Sequence, residues 1–366
     1  MLLEKKNLCD ILEFSIDKTL ICFGAGKQLL SACCDFADMA FFDRIDFIAD
    51  NNPNKQIFVF EHKEKVVYSI DECLQLTYNE PVILITILDC IDVIEQLNNI
   101  AKLNNCYCFI YSLAQNYVCP YLIKSDRSKN SAFIIPKLIH YCWFGGHPIP
   151  DDLKSYMKSW KKFCPNYEIV LWNENNYNYQ KNVYMYEAYK HNKWGFVSDY
   201  ARLDIVYRYG GVYLDTDVEL IRNIDDLLYN KAFCGFESRS FVANGLGFGA
   251  IEKFPLILEQ MKIYDNLSFL NDDGSLNLKT SPQYHTELLH SKGLILNNTL
   301  QEIEGMIIYP TDVLSPYSPC SGTNITSNTY AIHHYAASWF DDEKQYEKDK
   351  IVKQYEIIRK SLKEVI

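Results

Sequence analysis

Long apolar runs are missing from this sequence. The strongest, Pro81-Val-Ile-Leu-Ile-Thr-Ile-Leu88, is far too short to cross a bilayer and reads as a buried strand. An N-terminal signal peptide is missing too: Met1-Leu-Leu-Glu-Lys-Lys6 brings charge at once and no apolar core follows, so a soluble cytoplasmic chain is expected, working at most at the inner face of the cell membrane. Basic residues are in deficit, 36 Lys and Arg against 47 Asp and Glu, for a net charge of −11. That excludes a non-specific nucleic-acid binder and argues against a polybasic membrane patch. No Cys-x-x-Cys pair and no internal repeat occurs. The thirteen cysteines are scattered, and several, such as Cys22 and Cys142, sit in apolar runs, which points to buried reduced thiols rather than a disulfide framework.

What is present suffices for two domains: 366 residues, 48% hydrophobic. Residues 1–125 read as an α/β unit, with strands at Thr19–Phe23, Ile45–Ala49, Phe58–Phe60, Val82–Ile87 and Cys108–Tyr111 alternating with helices, hence a parallel sheet. Gly24-Ala-Gly26 after the first strand, with Asp50 some two dozen residues on, is a partial Rossmann fingerprint whose third glycine position is Leu29. This unit resembles small nucleotide-binding-like domains on some bacterial sugar-modifying enzymes, and a scaffold without cofactor is the preferred reading. The polar run Lys124–Ser131 marks a linker, placed at 126–132. A second α/β domain is expected over 133–340, with a strand at Pro136–Phe144, a helix at Asp151–Phe163, a strand at Glu168–Trp172, a helix at Phe196–Tyr209 and a late strand at Ala331–Tyr335. Ile351, Tyr355, Ile358, Leu362 and Val365 form one stripe of a C-terminal helix over 341–366, expected to fold onto the body.

The stretch that carries chemistry is Tyr209-Gly-Gly-Val-Tyr-Leu-Asp-Thr-Asp217. The glycine pair ends the preceding helix, and Val212-Tyr-Leu214 is a short buried strand ending in two acids one residue apart. Alternate residues of a strand share a face, so a register held through Asp217 makes Asp215 and Asp217 converge. Two like charges so close repel unless a cation lies between them, and hard oxygen ligands suit a divalent metal that bridges to a diphosphate. Upstream, Asp199 and Arg202 are three apart and share a helix face. Asn244-Gly-Leu-Gly-Phe-Gly249 is a glycine-spaced loop, expected to let backbone approach a sugar with Asn244 as a hydroxyl contact, and Asn271–Asn277 reads as an exposed turn.

Four stretches in order resemble glycosyltransferase family 32, which includes fungal mannosyltransferases and many capsule or O-antigen enzymes. They are Ile135-Pro-Lys-Leu-Ile-His-Tyr-Cys-Trp-Phe-Gly-Gly146, Ser159-Trp-Lys-Lys-Phe-Cys-Pro-Asn-Tyr-Glu-Ile-Val-Leu-Trp172, Ser198-Asp-Tyr-Ala-Arg202 through Asp217, and His333-His-Tyr-Ala-Ala-Ser-Trp339. A more distant resemblance is to the glucosylating domain of large clostridial toxins. The resemblance implies a GT-A nucleotide-sugar transferase domain behind the small Rossmann-like α/β domain, and retaining stereochemistry. It implies Mn²⁺ or Mg²⁺ held by Asp215 and Asp217, Asp217 the more direct ligand, with one of His333 and His334, preferably His333, as an added ligand. Asp199 and Arg202 are expected on the donor sugar and diphosphate. Trp143 is expected as a base platform, Tyr213 in the base or ribose pocket, and Ser338 and Trp339 over the diphosphate. The implied reaction moves a hexose from a UDP-sugar, UDP-galactose or UDP-glucose, to a saccharide or lipid-linked saccharide in bacterial surface polysaccharide synthesis. GDP-mannose is the family's other donor branch. Rival readings are an NAD-dependent oxidoreductase acting through the N-terminal unit and a non-catalytic assembly module.

Overall fold

The computed structural model describes residues 1–114, 132–336 and 342–363. The expected linker falls outside them but for its last residue. Among the described residues no helix is long and apolar enough to cross a membrane. The contacts divide the chain into two compact units, both mixed α/β.

In the first unit seven strands form one sheet, in the order Leu2–Leu3, Tyr107–Ile110, Pro81–Ile85, Thr19–Phe23, Phe47–Ala49, Lys63–Tyr68, Ile57–Phe60. All neighbours are parallel except the last pair, an antiparallel hairpin. Thr19–Phe23 is buried at every residue, as a central parallel strand covered on both faces must be. Lys63–Tyr68 escaped the sequence reading because three charges open it and mask the β-branched Val66-Val67 behind them. Two segments distant in sequence join this unit: Ser318–Thr323 and the helix Asp342–Lys363. The first of these lies within the 133–340 expected of the second domain. The cause lies in the helix. Tyr355 and Ile358 are buried in a core shared with Cys90 and Cys320, and the Arg359 guanidinium donates to the carbonyls of Pro319 and Cys320.

The second unit is built on an eight-stranded mixed sheet. Its main path runs Gln301–Ile303, Met306–Tyr309, Ala232–Phe236, Phe248–Ala250, Gly211–Tyr213, Leu138–Cys142, Glu168–Trp172, and Val242–Ala243 pairs off the path with Ala232–Phe236. Alternation along Gly211–Tyr213 sends Val212 to one core with Trp160 and Phe233, and Tyr213 to the other with Val197 and Phe248. Helix Asp151–Phe163 covers the first core. Helix Trp194–Tyr209 runs through the second and is buried without interruption from Phe196 to Val206, so its polar residues are interior ones. Gly210 and Gly211 end it at φ 63° and 98°, angles that a side chain resists, and the chain turns directly into the strand Gly211–Tyr213. The helix thereby delivers the next residues to the carboxyl edge of the sheet, where α/β folds place ligands.

Candidate active site

The strand stops at Tyr213, two residues before the first acid. The convergence of Asp215 and Asp217 therefore does not come from strand alternation, as the sequence suggested. A tight turn makes it: the Val218 N–H donates to the Asp215 carbonyl at 3.0 Å, and the chain re-enters a strand at Val218–Leu220. That short strand pairs antiparallel with Ala331–His333, Val218 opposite His333. The pairing sets an imidazole beside the turn. Asp215, Asp217 and His333 offer ligand atoms all within 4.8 Å of one another, the one such group of metal-ligating side chains among the described residues.

Each acid is held by its own contacts. Asp215 accepts from the Tyr213 hydroxyl at 3.0 Å and lies 3.6 Å from Arg202 Nη2. Its backbone N–H donates to the Gly245 carbonyl. Burial pushes its carboxyl up, Arg202 opposes that push, and the Asp217 charge adds to it. Asp217 Oδ1 lies 3.2 Å from His333 Nε2, and Oδ2 accepts from the Ala336 N–H at 2.8 Å. For Asp217, too, burial works to raise the pKa, but the His333 charge and the two hydrogen bonds outweigh it and hold the carboxyl at about 2. His333 leaves its Nδ1 buried without a partner.

Asp199 and Arg202 are not a surface pair. Both are buried, and they meet at 3.0 Å, with Arg202 Nε also donating to the Ser198 carbonyl. The guanidinium lies 5.2 Å from the Tyr213 ring centroid, so one cation links Asp199, Asp215 and an aromatic face. Burial raises the Asp199 carboxyl to about 6 against the opposing pull of Arg202 and of a hydrogen bond from Ser281.

The remaining expected residues fall in different places. His334, one residue past the strand Ala331–His333, does not join the acids: its Nε2 pairs with Glu219 at 2.9 Å while its ring stacks on Tyr156 at 3.9 Å. Tyr213 has its ring in the core, 1% exposed, so it lines no pocket and reaches the site only through its hydroxyl. Asn244 is also buried at 1% exposure and its amide donates to Gln260, so it does not face out for a sugar hydroxyl. The glycine loop brings backbone close to Asp215: a Cβ on Gly245 would collide with that carboxylate. Trp143 is half-buried just past the strand Leu138–Cys142, its indole N–H donating to the His147 carbonyl at 2.6 Å. Ser338 and Trp339 lie outside the described residues. Sequence reasoning passed over Glu237, one residue beyond the strand Ala232–Phe236, which stands in the electrostatic reach of His333 and Asp215. No motif marks it, because its neighbours in space are far off in sequence.

The sheet edge thus presents two acids and an imidazole in ligand geometry beside a buried Asp–Arg pair, behind a strand that ends at the ligand-binding side. Residues 150–234 match the family described as glycosyltransferase sugar-binding region containing DXD motif, and the triplet Asp215-Thr216-Asp217 lies within the match. The chain is 31% identical over 146 residues to inositol phosphoceramide mannosyltransferase 3 of Schizosaccharomyces pombe, covering 38% of this chain and 40% of that protein. It is 31% identical over 151 residues to the uncharacterized glycosyltransferase L373 of Acanthamoeba polyphaga mimivirus, covering 39% of this chain and 59% of the viral protein. The chain thus spans about two fifths of the fungal relative and three fifths of the viral one. The solved PaToxG glycosyltransferase aligns over 43% of this chain and 69% of its own at 17% identity, with a TM-score of only 0.35. The two sequence relatives named are fungal and viral.

Proposed function

We propose that this chain is a metal-dependent retaining glycosyltransferase that moves a hexosyl group from a nucleoside diphosphate sugar to a saccharide or lipid-linked acceptor. The observation that carries this reading is the convergence of Asp215, Asp217 and His333 against the Asp199–Arg202 pair. The donor set fits a divalent cation: two carboxylates are hard ligands, and the orphaned, buried nitrogen of His333 shows a ring whose bonds within the chain are incomplete. An imidazole among the ligands favours Mn²⁺ over Mg²⁺. A cation bound there would neutralise charge building on the departing diphosphate. Asp217 and His333 would hold it most directly, with Asp215 oriented toward it by Tyr213.

The chain's own groups do the rest. Arg202, braced by Asp199 and Asp215, keeps its charge in a buried place and presents guanidinium N–H groups to phosphate oxygens. Asp199 accepts from sugar hydroxyls when ionised. Trp143 is the candidate platform for the nucleotide base. Positioning and charge stabilisation fit a front-side displacement in which the leaving phosphate takes the acceptor's proton. The UDP-hexose expected from the resemblance and GDP-mannose both suit this geometry, and a relative named as a mannosyltransferase favours the mannosyl donor. The first unit reads as a scaffold. Its Asp50 carboxylate, the acid a dinucleotide ribose would need, is taken by the Ala25 N–H of the glycine turn and by Lys55, both at 2.8 Å. Work in the cytoplasm or at the inner membrane face remains the proposed setting.

The decisive experiment measures transfer and donor hydrolysis across a panel of nucleotide sugars, with and without Mn²⁺, for the wild type and Asp217→Ala. We expect the substitution to abolish both activities while circular dichroism is unchanged. A folded variant that still turns over would overturn the reading. Stabilisation by NAD, but by neither GDP nor UDP with Mn²⁺, would favour the oxidoreductase instead.

A further inference from the structure

We propose that Glu237 is a catalytic residue whose carboxylate faces the glycosyl group in transit and stabilises the positive charge on its anomeric carbon as the bond to phosphate breaks. The inference rests on the transfer reaction proposed above. Its ground is placement. The strand Ala232–Phe236 is antiparallel to Phe248–Ala250, which is antiparallel to Gly211–Tyr213. The first and last therefore run the same way and end at the same edge, about 10 Å apart at the usual strand spacing. Glu237 stands one residue past one end and Asp215 two residues past the other.

A second contact fixes the relation from the opposite side. Tyr335 packs edge-on against His333 at 4.3 Å, and its hydroxyl donates to the Glu237 carbonyl at 3.4 Å. One tyrosine thus spans from the imidazole of the site to the backbone of Glu237. The Glu237 side chain does not belong to the ligand trio. Among the described residues its carboxylate makes no hydrogen bond and no ion pair, although it is only partly exposed. A half-buried acid that the chain leaves unpaired is available to complement a positively charged bound species. Burial pushes this carboxyl up, the His333 charge opposes, and the Asp215 charge adds to the push, in keeping with the placement of Glu237 near the ligand trio.

The chemistry supplies the complement. As the anomeric carbon–oxygen bond breaks, its electron pair goes to the leaving phosphate and the ring carbon becomes electron-poor. The acceptor oxygen then forms the new bond, and its proton passes to the leaving phosphate. Glu237 is unchanged throughout: it gives no proton and forms no bond. A fixed negative group near that carbon lowers the barrier because its charge interacts more strongly with the transition state than with the donor.

The test uses the full chain as wild type, Glu237→Gln, Glu237→Asp and Asp217→Ala. Transfer kinetics are compared with calorimetric binding of GDP and UDP in Mn²⁺, which involves no turnover. The expected result for Glu237→Gln is a fall in kcat of about 10²-fold with the donor KM and the nucleotide affinity within about threefold. Glu237→Asp keeps the charge and should recover part of the loss, which a merely structural residue would not show. Unchanged kcat in Glu237→Gln overturns the proposal. So does loss of nucleotide–Mn²⁺ binding in step with activity, since Glu237 would then hold the metal or nucleotide. If Asp217→Ala transfers at the wild-type rate, the parent reading fails. If Asp217→Ala is silent while Glu237→Gln is fully active, only the role of Glu237 fails.

Discussion

Arg202 is the residue through which the site is coupled. It touches Asp199 at 3.0 Å, lies 3.6 Å from Asp215 and sits over Tyr213, so a change at any of these reaches the others. Asp199 gives the clearest pH dependence. Its carboxyl is raised from 3.8 to about 6, so it is ionised above that pH and neutral below. We expect kcat/KM to fall on the acid side with an apparent pKa near 6, and the limb to be absent from the low residual rate of Asp199→Asn. The stability linkage has the opposite sign. A raised carboxyl binds its proton more tightly in the folded state, so this group's contribution to stability is greatest below 3.8 and is lost as pH rises through about 6. Gly245 tests the same neighbourhood sterically. A side chain there would strike the Asp215 carboxylate, so Gly245→Ala should cut transfer by about 10²-fold with the melting temperature little changed. Wild-type transfer by that variant would show that the position of Asp215 is not critical.

Among elements, the short pairing of Val218–Leu220 with Ala331–His333 matters more than its three residues suggest. It brings an imidazole from 116 positions downstream of Asp217 to within 3.2 Å of it. Helix Asp151–Phe163 supports it from below. The buried Trp160 indole donates to the Val218 carbonyl at 2.7 Å, and the Ser159 hydroxyl accepts from the Leu220 N–H at 2.8 Å. Trp160→Phe keeps most of the apolar volume but strands a buried carbonyl, and should cost about 1–3 kcal/mol in denaturant unfolding. Because the weakened strand carries His333, Mn²⁺ affinity should fall as well, and unchanged affinity would separate the helix from the site. This strand pair was not legible in the sequence beforehand. Val218–Leu220 is too short for a periodic signal, and its partner lies more than a hundred residues away. By contrast, Asp151–Phe163 and Glu168–Trp172 were readable to the residue, since each carries its own apolar stripe and is closed by a turn.

For the whole chain, the notable feature is that the last described helix belongs with the first unit, although the second unit lies between them in sequence. Tyr355 is wholly buried and makes the helix part of that core. Tyr355→Ala should destabilise by about 3–5 kcal/mol, read as a lower unfolding midpoint, whereas a helix merely resting on the surface would show almost no change. The sequence by itself determined the α/β class, the order of most elements and the types of chemical group available: two acids after an apolar strand, an Asp and an Arg three apart on a helix, and a late histidine pair. These are local properties, set by periodicity and by glycine's tolerance of positive φ. Only the tertiary structure decided that a turn rather than a strand register joins Asp215 to Asp217, that His333 and not His334 faces them, that Tyr213 and Asn244 are interior, and that Glu237 shares the edge. Each of those depends on which distant strands pair and which way a side chain points once they do, and such long-range choices are settled by the packing of the folded whole.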